Sequence, residues 1–291
     1  MAWERRWFQY AILLFLAFIW GSSFILMKVG LKSFSSPQVA AIRMLSASLV
    51  LLPLSIRHLK GITRKELFYL LIAGFIGSFL PAFLFTKAQT RIDSALAGML
   101  NSLTPVFTLL IGLLFHRTKT RWMQVIGVII GLIGAMGIIS SGETIALRNV
   151  NSYAFFIVAA TTCYAINVNV VKTHLTHLTG MQITSISFFF IGPAAAIALF
   201  TSDLGAVETS SKWPVHLVAI SLLGVVGTAL AMVIMNSLIR YTSAVFAASV
   251  TYIIPIFAIM WGLLDNEVIT ILHLGFMGLV LFGVYLISRR S

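Results

Sequence analysis

Charge is what this chain has least of. Of its 291 residues, 10% are charged, against about 25% in a typical soluble domain. So few charges cannot coat a water-facing surface. Carboxylates are scarcer still: there are 8, all at the ends of apolar runs or between them, so none is placed at mid-membrane. A proton-coupled exporter of cations typically exchanges its substrate for a proton on a buried Asp or Glu, and that argues against such an antiporter here. Cysteine is limited to Cys163, which excludes an intramolecular disulfide and leaves the redox compartment unread. A clustered His/Asp/Glu set, the mark of a membrane-embedded enzyme or a metal centre, is also missing. His58, His116 and His273 are scattered near run ends, and His216 is alone. His174 and His177 share a connection with no acidic partner near them in sequence. The expectation is therefore no metal, no cofactor and no catalytic site.

What the chain has is oil: 59% of residues are hydrophobic and the mean hydropathy is +1.00. The apolar runs are about 20 residues long, enough to cross a hydrocarbon core of about 30 Å as helix. Ten are expected, at 8–31, 37–56, 66–88, 93–115, 121–141, 152–172, 180–200, 214–239, 243–264 and 269–288. Helix is the natural element, because lipid cannot satisfy backbone polar groups. The alternating ten-residue strands of a β-barrel do not occur. The first run is too long for a signal-peptide core and is expected to remain as a helix. The connections are short and leave no room for a soluble domain.

The net charge of +12 would suggest nucleic acid in a soluble protein. Its distribution gives a different reason. With odd-numbered crossings running outward, Arg5, Arg6, Arg57, Lys60, Arg64, Lys65, Arg117, Lys119, Arg121, Lys172, Arg240, Arg289 and Arg290 share one side. Only Lys32, Lys87, Arg91, Arg148 and Lys212 fall on the other. This is the positive-inside pattern with both termini in the cytoplasm. The basic charge orients the chain in a bilayer and implies no nucleic-acid partner.

The chain also repeats itself. The stretch from Ala73 to Phe115 overlies Leu223 to Asp265 without a gap, so that Gly74 meets Gly224, Gly77 meets Gly227, Pro105 meets Pro255 and TPVFTLLIGLL meets IPIFAIMWGLL. Upstream, Trp20 aligns with Tyr164, Lys28 with Lys172 and Arg43 with Ser187. The expected units are 1–145 and 146–291, each with five crossings. Five is odd, so the second unit must enter the bilayer inverted. Inverted repeats recur in secondary transporters, with the substrate site at the repeat interface near the midplane.

These features together resemble the EamA type of the drug/metabolite transporter superfamily. The motifs that carry the resemblance are WGSSFILMK in the first helix, Arg43 in the second, SALAGMLNSLTPVF in the fourth, and SAVFAASVTYIIPIF in the ninth with Glu267 just after it. The resemblance implies a bacterial inner-membrane exporter of amino acids or related carboxylate-bearing metabolites, working by alternating access. Exporters of amphiphilic drugs or organic cations, non-transporting membrane proteins and membrane-embedded enzymes are the alternatives. One departure stands out: the family often carries a glutamate after the proline-containing helix in both halves, whereas the first-half position here is Arg117.

Candidate substrate contacts follow from polar residues set in apolar runs. Ser22 and Ser23 either hold helices together or floor a cavity, with Trp20 and Tyr164 as walls or packing residues. Asn167 favours the cavity, since an amide carries more donors and acceptors than packing needs. Lys28 and Arg43 are the costliest residues in the runs; Lys28 either snorkels to the interface or meets substrate, and Arg43 either pairs structurally or meets substrate. Ser78, Phe85 and Gln89 share a helical face. Pro105 and Pro255 should kink their helices, bringing Asn101, Ser102, Thr251 and Tyr252 to the cavity. The glycines of GVIIGLIG and GFMGLVLFG suit close helix packing, within one chain more than between two, so a monomer is expected. No strand–loop–helix context supports a phosphate-binding reading of them.

Overall fold

The structure, a computed structural model, describes residues 2–116, 122–140, 147–203 and 211–288. Among these residues it is all helix. The α-helices are α1 (Arg6–Gly30), α2 (Ser36–His58), α3 (Arg64–Gly74), α4 (Leu80–Ala88), α5 (Ser94–Asn101), α6 (Thr104–His116) and α7 (Trp122–Ser140). They continue as α8 (Leu147–His174), α9 (Gly180–Phe200), α10 (Trp213–Gly224), α11 (Ala231–Tyr241), α12 (Ala244–Ala248), α13 (Ile254–Leu264) and α14 (Ile271–Ser288). Several are consecutive pieces of one span. By length and composition, nine spans among the described residues can cross a membrane, and Ile271–Leu286 is a shorter apolar helix. Nine of the ten expected runs are such spans, and the tenth, 269–288, is this shorter apolar helix. Span ends lie within a few residues of those read from hydropathy. Arg117, Lys119 and Arg121 lie outside the described residues.

The helix starts are written in local sequence. Before α2, the Ser35 amide donates to Gln38 Oε1 at 2.8 Å. Before α9, the Thr179 amide donates to Gln182 Oε1 at 2.9 Å, and the Gln182 amide returns a bond to Thr179 Oγ1 at 3.2 Å. Both are capping boxes, which satisfy amides left over in the first turn. α2 and α9 then pack against each other, and α7 packs against α14.

Four spans are interrupted. Between α3 and α4 the backbone passes through a π-helical segment, Phe75–Phe79, and between α10 and α11 through another, Val225–Leu230. The fourth span breaks between α5 and α6, and the ninth breaks at a 3-10 segment, Ser249–Tyr252, ahead of α13. Pro105 and Pro255 were expected to kink continuous helices. Instead each sits in the first turn of a new helix, where proline's missing N–H costs nothing because that position has no intrahelical partner. The two breaks support one another: Ser102 Oγ donates to the Thr251 carbonyl at 2.9 Å.

The glycine faces of α7 and α14 close on each other within one chain. A Cβ on Gly283 would stand 2.5 Å from the Gly127 carbonyl oxygen and 2.6 Å from the Gly131 nitrogen. These are backbone atoms that cannot swing aside. Gly275 and Gly278, on the same helix, have open space around them. Gly283→Ala should therefore cost about 1–3 kcal/mol by overpacking and lower the melting temperature in detergent. Gly278→Ala should leave it within the small range of surface changes, about 0.5 kcal/mol.

Candidate functional site

All four helix interruptions meet at one cavity of about 80 Å³, several times the roughly 10–15 Å³ that a single water needs. Gly77 and Ser78 reach it from the first π-helical segment, and Gly227 and Thr228 from the second. Asn101 and Thr104 flank the α5–α6 break, and Ala248, Val250 and Thr251 come from the break before α13. α1 adds Trp20, Ser23, Phe24 and Met27, α2 adds Arg43 and Met44, and α8 adds Tyr164, Asn167 and Val168. Phe85 stacks on Tyr164 with ring centroids 5.9 Å apart and tilts against Phe24 at 5.7 Å. Met232 and Met235 complete a soft apolar wall, the kind of surface methionine can reshape around different contents.

Two glycines explain how side chains reach the cavity. Gly77 faces Asn167 so closely that a Cβ there would collide with the amide. At the corresponding place in the second half, a Cβ on Gly227 would stand 3.0 Å from Ser23 Oγ. The Gly227 carbonyl accepts from Trp20 Nε1 at 2.9 Å, so the indole is held by the backbone of the other half of the chain.

Arg43 dominates the electrostatics. It is 7% exposed, Nε donates to Thr228 Oγ1 at 2.8 Å, and Nη1 lies 3.7 Å from Met27 Sδ. None of the ion pairs among the described residues involves it. A guanidinium offers five N–H donors, and a buried charge without a counter-ion costs several kcal/mol. Among the described residues, five buried side-chain oxygens lack a hydrogen-bond partner, and three of them, Ser78 Oγ, Asn101 Oδ1 and Asn167 Oδ1, belong to residues lining this cavity. Each such atom costs about 1–3 kcal/mol if left bare. Among the described residues, the cavity lining thus includes one fixed cation and no carboxylate.

Of the residues expected from sequence, Trp20, Ser23, Arg43, Ser78, Phe85, Asn101, Tyr164, Asn167 and Thr251 line the cavity. Five others do not. Ser22 donates to the Phe18 carbonyl and accepts from Trp261 Nε1, both at 2.8 Å, and so holds helices together. Gln89 donates to the Phe24 carbonyl and to Ser94 Oγ, Ser102 staples the two helix breaks, and Tyr252 packs on the hydrophobic core. Lys28 lies in an ion-pair cluster. Thr228, Gly77, Gly227 and the methionines were not picked out as contacts, although the two glycines already stood out as a matched pair in the internal repeat.

The cluster around Lys28 ties three parts of one end of the bundle together. Lys28 Nζ lies 2.7 Å from Asp265 Oδ2, 2.8 Å from Glu267 Oε1 and 3.6 Å from Asp93 Oδ1. Asn266, between the two acids, takes φ 59°, a left-handed conformation that asparagine tolerates. The turn brings both neighbours to the lysine. Glu267 also accepts from the amides of Ser94 and Ala95 at 2.9 Å each, so it caps the start of α5, where the helix dipole favours negative charge. Gly262 makes room for it, since a Cβ there would stand 2.5 Å from Glu267 Oε2.

The other end is fastened differently. Lys172, the counterpart of Lys28, donates to the carbonyls of Ile239 and Arg240 at 3.1 and 3.4 Å. His177 was expected to lack an acidic partner, but Nε2 meets Glu66 Oε1 at 2.5 Å. The two are far apart in sequence, which is why run-by-run reading missed the pair. At the Lys28 end, His216 Nδ1 lies 2.7 Å from Ser33 Oγ in a similar turn-to-helix contact.

These contacts bear on behaviour in acid. The hydrogen bond from Lys28 holds the Asp265 carboxyl below its ordinary range, whereas burial, and then the charge of Glu267, raises that of Asp93. Because its folded value lies below its unfolded one, Asp265 adds stability that is complete above the ordinary carboxylate pKa. That stability is lost as pH falls through the folded value; Asp93 works with the opposite sign. Asp265→Asn should accordingly lower the melting temperature at pH 7 and make its fall below about pH 5 shallower than in the unaltered protein. Lys28→Met should lower it further by leaving Glu267 buried without its cation, and Lys28→Arg should restore most of the loss.

A helical membrane bundle enclosing a polar cavity where broken helices meet defines the class: a polytopic transporter. Residues 7–140 and again 151–289 match the model of the EamA-like transporter family. The chain belongs to that family, and so to the drug/metabolite transporter superfamily, and is a multi-pass integral protein of the bacterial inner membrane. It is 28% identical to an uncharacterized inner membrane transporter, YedA, of Escherichia coli strain K12, over 93% of this chain and 87% of that protein. An uncharacterized transporter of Archaeoglobus fulgidus is 23% identical over 93% of this chain and 95% of its own length. A probable terminal-alkyne amino-acid exporter of Streptantibioticus cattleyicolor is also 23% identical, over 94% of this chain and 90% of that protein. A crystal structure at 12% identity superposes with a TM-score of 0.65 over 95% of each chain, a likeness of fold.

Proposed function

We propose that this protein is a secondary transporter that exports small carboxylate-bearing metabolites, amino acids among them, by alternating access around the Arg43 cavity. Two inverted five-helix repeats, 1–145 and 146–291, with both termini in the cytoplasm, supply the two-state frame. The matched capping boxes, π-helical segments and helix breaks of the two halves support that reading, as does the family model's separate match to each half. In this frame Lys28 and its three carboxylates are the tie at the outer end, which must separate for the cavity to open there. The chain acts as a monomer, with substrate and lipid as its partners.

The observation that carries the proposal is the buried Arg43 guanidinium, which lines the cavity with no carboxylate against it among the described residues. A substrate carboxylate would supply the missing counter-ion through paired N–H···O bonds, the geometry in which arginine binds most strongly. An organic cation would meet a like charge and no acid. The name of the Streptantibioticus relative points the same way.

Thermal stabilisation of the purified protein tests this directly. A ligand that binds the folded state alone raises its stability, by about 2.7 kcal/mol at a hundredfold excess over Kd. In a screen of amino acids, organic anions and organic cations, the stabilising compounds should carry a carboxylate. Arg43→Gln should weaken their binding about tenfold or more and abolish their counterflow in proteoliposomes. Stabilisation confined to organic cations would sink the carboxylate reading.

A further inference from the structure

The two ends of the bundle are held together unequally. The geometry points to a resting state in which the outer end is shut and the cytoplasmic end parts first, along the seam between α6 and α12, to load substrate. This rests on the proposed topology and alternating access, and adds to them which mouth opens without substrate.

The internal repeat allows the two ends to be compared residue by residue. At the outer end α5 and α13 cross so closely that a Cβ on Gly98 would collide with Ala258 Cβ, and one on Gly262 would stand 3.0 Å from Ala95 Cβ. The matching seam at the inner end is α12 against α6, where Gly98 and Ala258 are answered by Ala248 and Thr108. Two larger side chains at that crossing bar so close an approach, since the spacing of packed helices is set by the residues between them. Burial follows the same order. Ser94 and Ala95 are 0% and 3% exposed, whereas their counterparts Ala244 and Val245 are half-buried.

The polar ties are as lopsided. At the outer end Lys28 pairs with Glu267, Trp261 Nε1 donates to Ser22 Oγ at 2.8 Å, and Gln89 Nε2 donates to the Phe24 carbonyl at 3.1 Å. Trp261, Ser22 and Gln89 are answered in the other half by Ile111, Ile166 and Ile239, whose side chains have no polar atom. Lys172, the counterpart of Lys28, is in none of the ion pairs among the described residues. The inner end has a tie of its own, from Asn169 Nδ2 to the Thr108 carbonyl at 3.0 Å, but it joins α8 to α6 and passes α12 by. α12 carries no polar side chain, and its Phe246 meets Tyr10 of α1 edge to face. A two-state bundle rests in the state of lower free energy, and these bonds favour the one with the outer end shut. Loading from the cytoplasm breaks none of them, whereas release outward must part Lys28 from Glu267.

The test reads cysteine accessibility of the full-length protein in inner-membrane vesicles, in a Cys163→Ser background, with a membrane-impermeant maleimide. The reporters are the matched pair Ala95→Cys and Val245→Cys, made separately and normalised to the unfolded protein; Leu96→Cys replaces the first should it fail to fold. Val245→Cys should be labelled in inverted vesicles, which expose the cytoplasmic face. Ala95→Cys in right-side-out vesicles should react about tenfold or more slowly, because it is reached only from a minor conformer of about 0.1–10%. Adding Glu267→Gln should raise labelling at Ala95→Cys and lower it at Val245→Cys. Trp261→Phe, which keeps the ring and loses the bond to Ser22, unfastens the same end if Glu267→Gln does not fold. If Ala95→Cys reacts as fast as Val245→Cys, or neither variant moves it, the resting state is overturned while carboxylate binding at Arg43 stands. If unfastening the outer end exposes both cysteines together, or Val245→Cys is labelled from outside, the alternating-access frame or the topology beneath the inference falls as well.

Discussion

Lipid offers no hydrogen bonds, and the rest of this structure follows from that constraint. A backbone that leaves regular helix inside a membrane must find its partners within the protein or in enclosed water. Here two π-helical segments and two helix breaks all turn toward one cavity. The lipid-facing surface keeps regular helix and exposed apolar side chains such as Ile129, Phe155 and Val218. Irregularity is confined to where polarity is useful, so one requirement both closes the outer wall and places the site.

Charge obeys the same rule at higher stakes. The cations within the spans are each placed where a partner exists or can arrive. Lys28 finds carboxylates at one end of the bundle, and Lys172 finds the free carbonyls that end α11. Among the described residues, Arg43 is the cation buried beside the cavity, and its hydrogen-bond partners are a hydroxyl and a thioether. The contrast separates residues that fasten the bundle from the one on which the proposed carboxylate site rests.

Much of the architecture was legible in the sequence because hydropathy and proline are local signals. Span ends, the Pro105 and Pro255 positions and the Gly77–Gly227 match could all be read along the chain. The consequences of proline were not, since a kink and a new helix begin with the same residue, and only the surrounding backbone decides between them. The π-helical segments leave no mark beyond a glycine. Contacts between distant residues were the least visible: Glu267 reaches the amides of Ser94 and Ala95, and His177 reaches Glu66. For the cavity, residue type worked well where a polar atom had no local partner, as in Asn101 and Asn167. It failed where a local or distant bond absorbed the polarity, as in Ser22, Gln89 and Lys28.

The two ends of the molecule are fastened by unlike bonds, and this makes them unequal to their surroundings. The Lys28 cluster contains part-exposed charges, with Asp93 at 59% and Asp265 at 30% side-chain exposure. Mobile ions screen such charges over about 10 Å at 0.1 M salt. The Lys172 bonds go to backbone carbonyls, which ions affect far less. Ionic strength therefore bears more on the fastening at Lys28 than on that at Lys172, so salt loosens the two lysine anchors to different degrees.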